Sequence, residues 1–374
     1  MGPKKIVISG GVLRANPDGT PNQPLNIRWL YHLLAYPLSL AVKDADIGLV
    51  VWEAGGSSID ARQVYDLNGL EANESNWARL ASAKEFSESS RQYLRGFYEG
   101  SLVLGFELPD LLLHFFNRCG IDYVDFAVHP VRYLDDFFFG IRTNIPDAFA
   151  VLTEHAVSEE VFYLQASIHK ATVSRMRPPD IRENSCLCVG QTRVDKSLLA
   201  GERVLSLLDF LDDLARIALP YNAMYFKPHP YASADGDVER KLLALGKVET
   251  IHENIYRLLC HDAIKEVVGI SSSVIYEARF FGKKGTYLLG NPMKLYDPAF
   301  PEGFDPWTFV PIYDDFFNPR FWSEMLKSKC RVRACADIKL PAKTSRLRIS
   351  AQSHWGYNFL DYEILLRNMI GERV

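Results

Sequence analysis

Short apolar runs alternate with amphipathic stretches from one end of the chain to the other, and this alternation leaves few folds open. Strand followed by helix, repeated, builds βα units whose strands line up in mostly parallel sheets. In the first half the strand-like runs are KIVISGG, DIGLVVWEAGG, SLVLGFELP and YVDFAVHP. Between them WLYHLLAYPLSLAVK is apolar at helical spacing with an internal proline, and PDLLLHFFNRCG opens on Pro-Asp and stops at glycine. The polar stretch SRMRPPDIREN, Ser174 to Asn184, interrupts the pattern and reads as a linker. A second alternating series follows: SCLCVGQT, the helix-like SLLDFLDDLARIAL, AMYFKPHP, IKEVVGISSS and GTYLLGN. The expectation is an α/β protein of two Rossmann-like domains facing a central cleft, residues 1–178 and 179–374. The amphipathic C-terminal stretch YNFLDYEILLRNMIG is a candidate to return to the first domain.

A length of 374 residues suits two domains. Hydrophobic residues at 48% and charged residues at 24% describe an ordinary soluble globular protein, and a net charge of -4 argues against a general nucleic-acid binder. Six scattered cysteines fit reduced thiols, and hence a cytoplasmic protein, better than a disulfide framework. Cys186 and Cys188, spaced C-x-C within a strand-like run, read as structural thiols. The N-terminus lacks the apolar core of a signal peptide, and no apolar stretch is long enough to span a bilayer. Membrane contact would therefore be peripheral. Segment 327–350, with eight Lys/Arg and one acidic residue, reads either as a solvated basic face or as a contact for the anionic inner membrane.

Two motifs carry chemistry. In YFKPHPYAS, Pro228 and Pro230 restrict Lys227 and His229, and the segment lies at the C-terminal end of a strand, where α/β sheets form ligand crevices. In IKEVVGISSSVIYEARFFGKKGTYLLGN, Ser271, Ser272 and Ser273 fall between a strand and a helix, where free backbone N–H groups favour an anion. Glu277, one helical turn after Ser273, is placed to accept hydrogen bonds from ribose hydroxyls. Neither a Walker loop nor a G-x-G-x-x-G fingerprint is present, and no H-E-x-x-H or other convincing metal cluster appears. The inferred site handles a nucleotide phosphate with no obligatory metal or cofactor.

At these residues the chain resembles bacterial glycosyltransferases that use CMP-activated acidic sugars: the GT-B-type sialyltransferases and, more closely, the retaining β-Kdo transferases of capsule and O-antigen assembly. The resemblance rests on YFKPHP and GISSSVIYEA, supported by VGQTRVD. It implies a GT-B-like fold, binding of the CMP moiety by His229 and Ser271 to Ser273, and a CMP-Kdo donor with a glycan or glycolipid acceptor. It also implies a carboxylate nucleophile, for which Asp195 is the match; Asp195 can equally cap a helix. Gln191 and Arg193 share its loop and are candidates to hold the sugar carboxylate.

The first domain should then supply the acceptor's base. Glu107 in LVLGFELPD and His129 in FAVHPVRY both sit at strand ends, and Glu53 in VVWEAGG is a weaker third candidate. The acidic motif of the sialyltransferases is not evident in this half. The rival readings are an inverting CMP-sialic acid transferase, a pyruvyl or glycerophosphate transferase, and a nucleotide- or glycan-binding protein without turnover.

Overall fold

Every residue of KIVISG after the first is buried, so its backbone polar groups need partners on both edges; it forms strand β1 (Lys5–Gly10) in the interior of a sheet. The computed structural model describes residues 5–14, 23–52, 58–192, 195–229, 236–342 and 345–351. β1 pairs in parallel with β2 (Asp46–Leu49) on one side and β3 (Ser101–Phe106) on the other, Val7 standing opposite Gly48 and Val103. The connecting helices are α1 (Pro24–Ala41), α2 (Ala61–Leu67), α3 (Glu74–Ser82) and α4 (Glu88–Tyr98). α1 starts on a proline, whose missing N–H has no partner to lose in a first turn, and contains Pro37. α5 (Asp110–Cys119) carries an acidic first turn and stops at Gly120, left-handed at φ 65°. It leads to β4 (Asp122–Val128), parallel to β3, and then to β5 (Phe139–Thr143), which turns back antiparallel to β4.

After α6 (Pro146–Glu154) and α7 (Glu160–Val173) comes β6 (Ser185–Val189), the central strand of a second sheet. A small antiparallel pair, β7 (Leu199–Ala200) and β8 (Arg203–Val204), precedes α8 (Leu211–Ala218) and β9 (Ala223–Lys227). Then follow α9 (Gly236–Leu243), β10 (Val248–Thr250), α10 (Ile255–Cys260), β11 (Ile264–Gly269), α11 (Ser273–Glu277) and β12 (Lys284–Tyr287). This sheet is parallel throughout, in the order β10-β9-β6-β11-β12. Cys186 and Cys188 are buried on β6, where desolvation pushes the Cys186 thiol up to about 12 and raises that of Cys188 as well. Both stay protonated at neutral pH, as structural thiols do.

The chain then goes back to the first sheet. β13 (Val310–Ile312) pairs antiparallel with β5, giving the order β13-β5-β4-β3-β1-β2. α12 (Pro319–Leu326) sets Phe321, Trp322 and Leu326 into one core with Leu30, Leu34 and Leu38 of α1, each buried aromatic contributing about 2–3 kcal/mol; α13 (Arg346–Ala351) adds Leu347. The return thus begins well before the C-terminal stretch expected to make it, which lies outside the described residues. In the other direction, Phe162 and Ala166 of α7, expected in the first half, join Leu187, Tyr225 and Val267 in the core of the second sheet. Val131, Tyr133 and Phe138 from the β4–β5 connection enter that same core. The fold is α/β with two Rossmann-like sheets, as the alternation predicts, but each half lends a segment to the other.

Both sheets reverse strand order beside their first strand: between β1 and β3, and between β6 and β11. A crevice opens beyond the carboxyl ends of the strands at such a point. Among the described residues, no helix is long and apolar enough to cross a membrane.

Candidate active site

The segments leaving β1 and β3 meet at the first of these reversals. Gly11 N–H donates to the carbonyl of Phe106 (3.2 Å), and Arg14 N–H closes the turn on the carbonyl of Gly11 (3.1 Å). Glu107 follows β3 in a left-handed conformation, φ 51°. A glutamate rarely adopts this backbone, and the surroundings hold it there: its N–H donates to Phe126 O (2.7 Å), and Leu108 N–H donates to Oδ1 of buried Asp125 (2.9 Å). Gln23 Nε2 donates to the Glu107 carboxylate at 3.4 Å. The carboxylate is half-buried, and its charge acts on Arg14.

At the second reversal the loop after β6 is built on hydrogen bonds. Gln191 Oε1 accepts from Ser271 N–H (2.8 Å), and its Nε2 donates to Ser271 Oγ (3.1 Å). Ser271 Oγ donates to Ser197 Oγ (2.8 Å), and Ser197 N–H donates to Asp195 Oδ1 (2.9 Å). Asp195 therefore caps the short 3₁₀ turn Lys196–Leu198, as its capping alternative predicts, with its second oxygen outside that bond. Gly190 lies so near the next loop that a Cβ there would meet His229 N at 3.1 Å. His229 follows β9; burial depresses its imidazole pKa, Asp195 opposing and Lys227 assisting. At neutral pH the ring is uncharged and acts as a hydrogen-bonding group, leaving Lys227 as the cation of the motif.

The two reversals are electrostatically joined. Arg14, which sequence reasoning passed over, is influenced by Glu107 from the first half and by Asp195 from the second, and Asp195 in turn acts on His229. Four groups with charge or a labile proton are thus linked in series, Glu107 to Arg14 to Asp195 to His229.

Other candidates are placed differently. His129 is 1% exposed, stacked on Phe138 at 4.3 Å between ring centroids, and its Nδ1 accepts from Val131 N–H (3.2 Å). Burial and the cations Arg132 and Arg279 hold its pKa well below the ordinary value. An imidazole enclosed in an apolar core reaches no acceptor hydroxyl, so it is a core residue, not a base. Glu277 is 0% exposed; Oε1 accepts from Arg132 N–H (2.6 Å) and the Tyr256 hydroxyl (3.3 Å), and Oε2 has no partner among the described residues. It cannot receive ribose hydroxyls, and instead ties the β4–β5 connection to α11. Ser271 is buried with its hydrogen-bonding groups engaged, and Gln191 braces it with both ends of its amide; both position the loop and neither is presented to a ligand. Ser272, at the N-cap of α11 but making no side-chain cap bond, and Ser273 are half-buried and remain as donors. α11 is five residues long before tightening into 3₁₀ geometry, so its dipole is weaker than the sequence reading supposed. Arg193 and Glu53 lie outside the described residues.

In the basic segment 327–350 most cations are engaged within the chain: Lys329 with Asp122 (2.9 Å), Arg331 with Asp44 (2.7 Å), Arg333 with Ser39 O (2.6 Å) and Arg348 with Arg132 O and Leu134 O. Lys327 is exposed, and Lys339 lies a loose 3.9 Å from Asp337. The segment is a strap across the first half more than a free basic patch.

No family model and no curated protein matches the chain. Among solved structures it is similar to two of Thermosulfurimonas dismutans KpsC: beta Kdo 2,7 transferase (14% identity, 75% of this chain and 77% of that chain, TM-score 0.39) and beta Kdo 2,4 transferase (18%, 50% and 68%, 0.31). It is also similar to UDP-GlcNAc 2-epimerase of Neisseria meningitidis (12%, 75% and 81%, 0.23). At TM-scores under 0.5 none of these likenesses bears on function, which rests on the site itself.

Proposed function

We propose that the chain is a retaining glycosyltransferase that moves Kdo from CMP-Kdo to a bacterial surface glycan. The observation that supports this most is the electrostatic linkage of Glu107, Arg14, Asp195 and His229, contributed by segments at the two strand-order reversals and by the loop after β9. In this reading Lys227, His229, Ser272 and Ser273 hold the CMP phosphate. Asp195, its Oδ1 fixed by Ser197 N–H, attacks the anomeric carbon through its other oxygen. The bond to CMP breaks, and its electron pair leaves on a phosphate oxygen balanced by Lys227. Glu107 then takes the proton of an acceptor hydroxyl, which displaces Asp195 from the same carbon. Two inversions give net retention.

The test is intact mass after incubation with freshly generated CMP-Kdo, alone and with acceptor. A gain of one sugar residue, absent in Asp195→Asn while CMP still binds, is expected, together with a loss of transfer of about a thousandfold or more. Transfer by that variant at the wild-type rate would remove Asp195 from the mechanism. An inverted product would give the crevice to a single-displacement enzyme, and CMP binding without slow donor hydrolysis would indicate a binding protein.

A further inference from the structure

Arg14 is the one member of this group to which the scheme above gives no task. Its guanidinium lies over the ring of Trp77, Cζ 5.3 Å from the centroid. Nε is buried and has no hydrogen-bond partner among the described residues. Glu107 and Asp195 act on the charge from a distance, and neither forms an ion pair with it. Burial depresses its pKa more than the two carboxylates raise it, as for a cation whose bonded counter-ion is missing. A partly desolvated guanidinium without a bonded anion is costly, and the group it suits best is a planar carboxylate, received by the two Nη atoms of the fork.

We propose that Arg14 receives the carboxylate that a 2-ulosonic acid carries directly on its anomeric carbon, and so selects acidic keto-sugar donors over ordinary aldose donors. The inference rests on Asp195 as the attacking group: whatever carbon Asp195 reaches, a carboxylate bonded to that carbon is one bond away. Arg14 approaches from the first half and Lys227 and His229 from the second, so the two anionic groups of such a donor meet separate cationic or donor groups. A donor without the carboxylate leaves the Arg14 fork unpaired, and sites built to bond a missing polar group reject the analogue by about 10⁴-fold.

The experiment compares wild type, Arg14→Met and Arg14→Lys, each checked for folding by circular dichroism, in three readouts: inhibition by CMP, kcat/KM for CMP-Kdo, and KM for the acceptor. For Arg14→Met we expect donor kcat/KM to fall about 100-fold or more, with CMP inhibition and acceptor KM changed less than about threefold. Arg14→Lys should recover part of the loss, since charge is retained and the fork is not. A parallel loss of CMP inhibition would make Arg14 a structural residue, and a change confined to acceptor KM would give its anion to the acceptor; either overturns the inference and leaves the transferase reading in place. If wild type neither binds CMP nor consumes CMP-Kdo, the transferase reading fails and this inference fails with it.

Discussion

Glu277 gives the protein a pH dependence that can be worked out from its surroundings. Burial raises its pKa from 4.5 to about 8, while the Arg132 amide, the Arg132 charge, the Tyr256 hydroxyl and Arg348 pull it back only in part. Between those two values the folded chain keeps a proton that the unfolded chain has released. The native state binds more protons, so stability falls as pH rises through the window and levels off above about 8. Each unit within the window is worth about 1.4 kcal/mol, so from pH 5.5 to 7.5, allowing for partial titration at both ends, the wild type should lose about 2–3 kcal/mol through this group. Glu277→Gln keeps an oxygen for the Arg132 amide and the Tyr256 hydroxyl but cannot ionise. Urea unfolding of both proteins at the two pH values, at constant ionic strength, should show the stability difference moving toward the variant by that amount. Parallel profiles would refute the reasoning, and would mean that the unpartnered oxygen meets solvent or a cation at neutral pH.

Two further substitutions probe the turn that carries the proposed base. Glu107→Asn suits the left-handed backbone, so stability should stay within about 0.5 kcal/mol, whereas transfer should fall about 100-fold or more; retained activity would exclude Glu107 as base. Asp125 is 0% exposed and accepts from Arg142 Nε (2.9 Å) and Leu108 N–H, so Asp125→Ala strips both donors of their acceptor and leaves buried Arg142 only the exposed Asp110 carboxylate (3.5 Å) and the Leu108 carbonyl (3.3 Å). A loss of about 3–5 kcal/mol in chemical denaturation is expected, and a loss below about 1 kcal/mol would show that the pair does not brace the Glu107 turn.

Much of the crevice could be located from local sequence because it is made at strand ends. SLVLGF announces a strand buried on both faces, so the glutamate after it must lie at a strand end. The prolines around His229 and the serine run after IKEVVG mark loops in the same way. Such signals say where a loop is, not what its side chains face. His129 and Glu107 look alike in sequence, each the first residue beyond an apolar run, yet one enters the core made with Phe138 and Phe162 and the other acts by its charge on Arg14. Three adjacent serines read as three donors, and only the fold, through Gln191, withdraws Ser271.

By itself, then, the sequence determined the α/β class, the near-continuous apolar strands, the helix that carries Pro37 and the loops from which a site can be built. Each of these depends on periodicity and backbone restriction within a few residues. Tertiary structure alone decided the return of β13 and α12 to the first sheet, the exchange of segments between halves, and the electrostatic linkage of Arg14, Glu107, Asp195 and His229. Antiparallel pairing with β5 and the charge of Arg14 acquire meaning only from partners distant in the chain. Burial, the quantity that separates an enclosed Glu277 from a half-exposed Glu107, belongs to the packed whole and to no stretch of it.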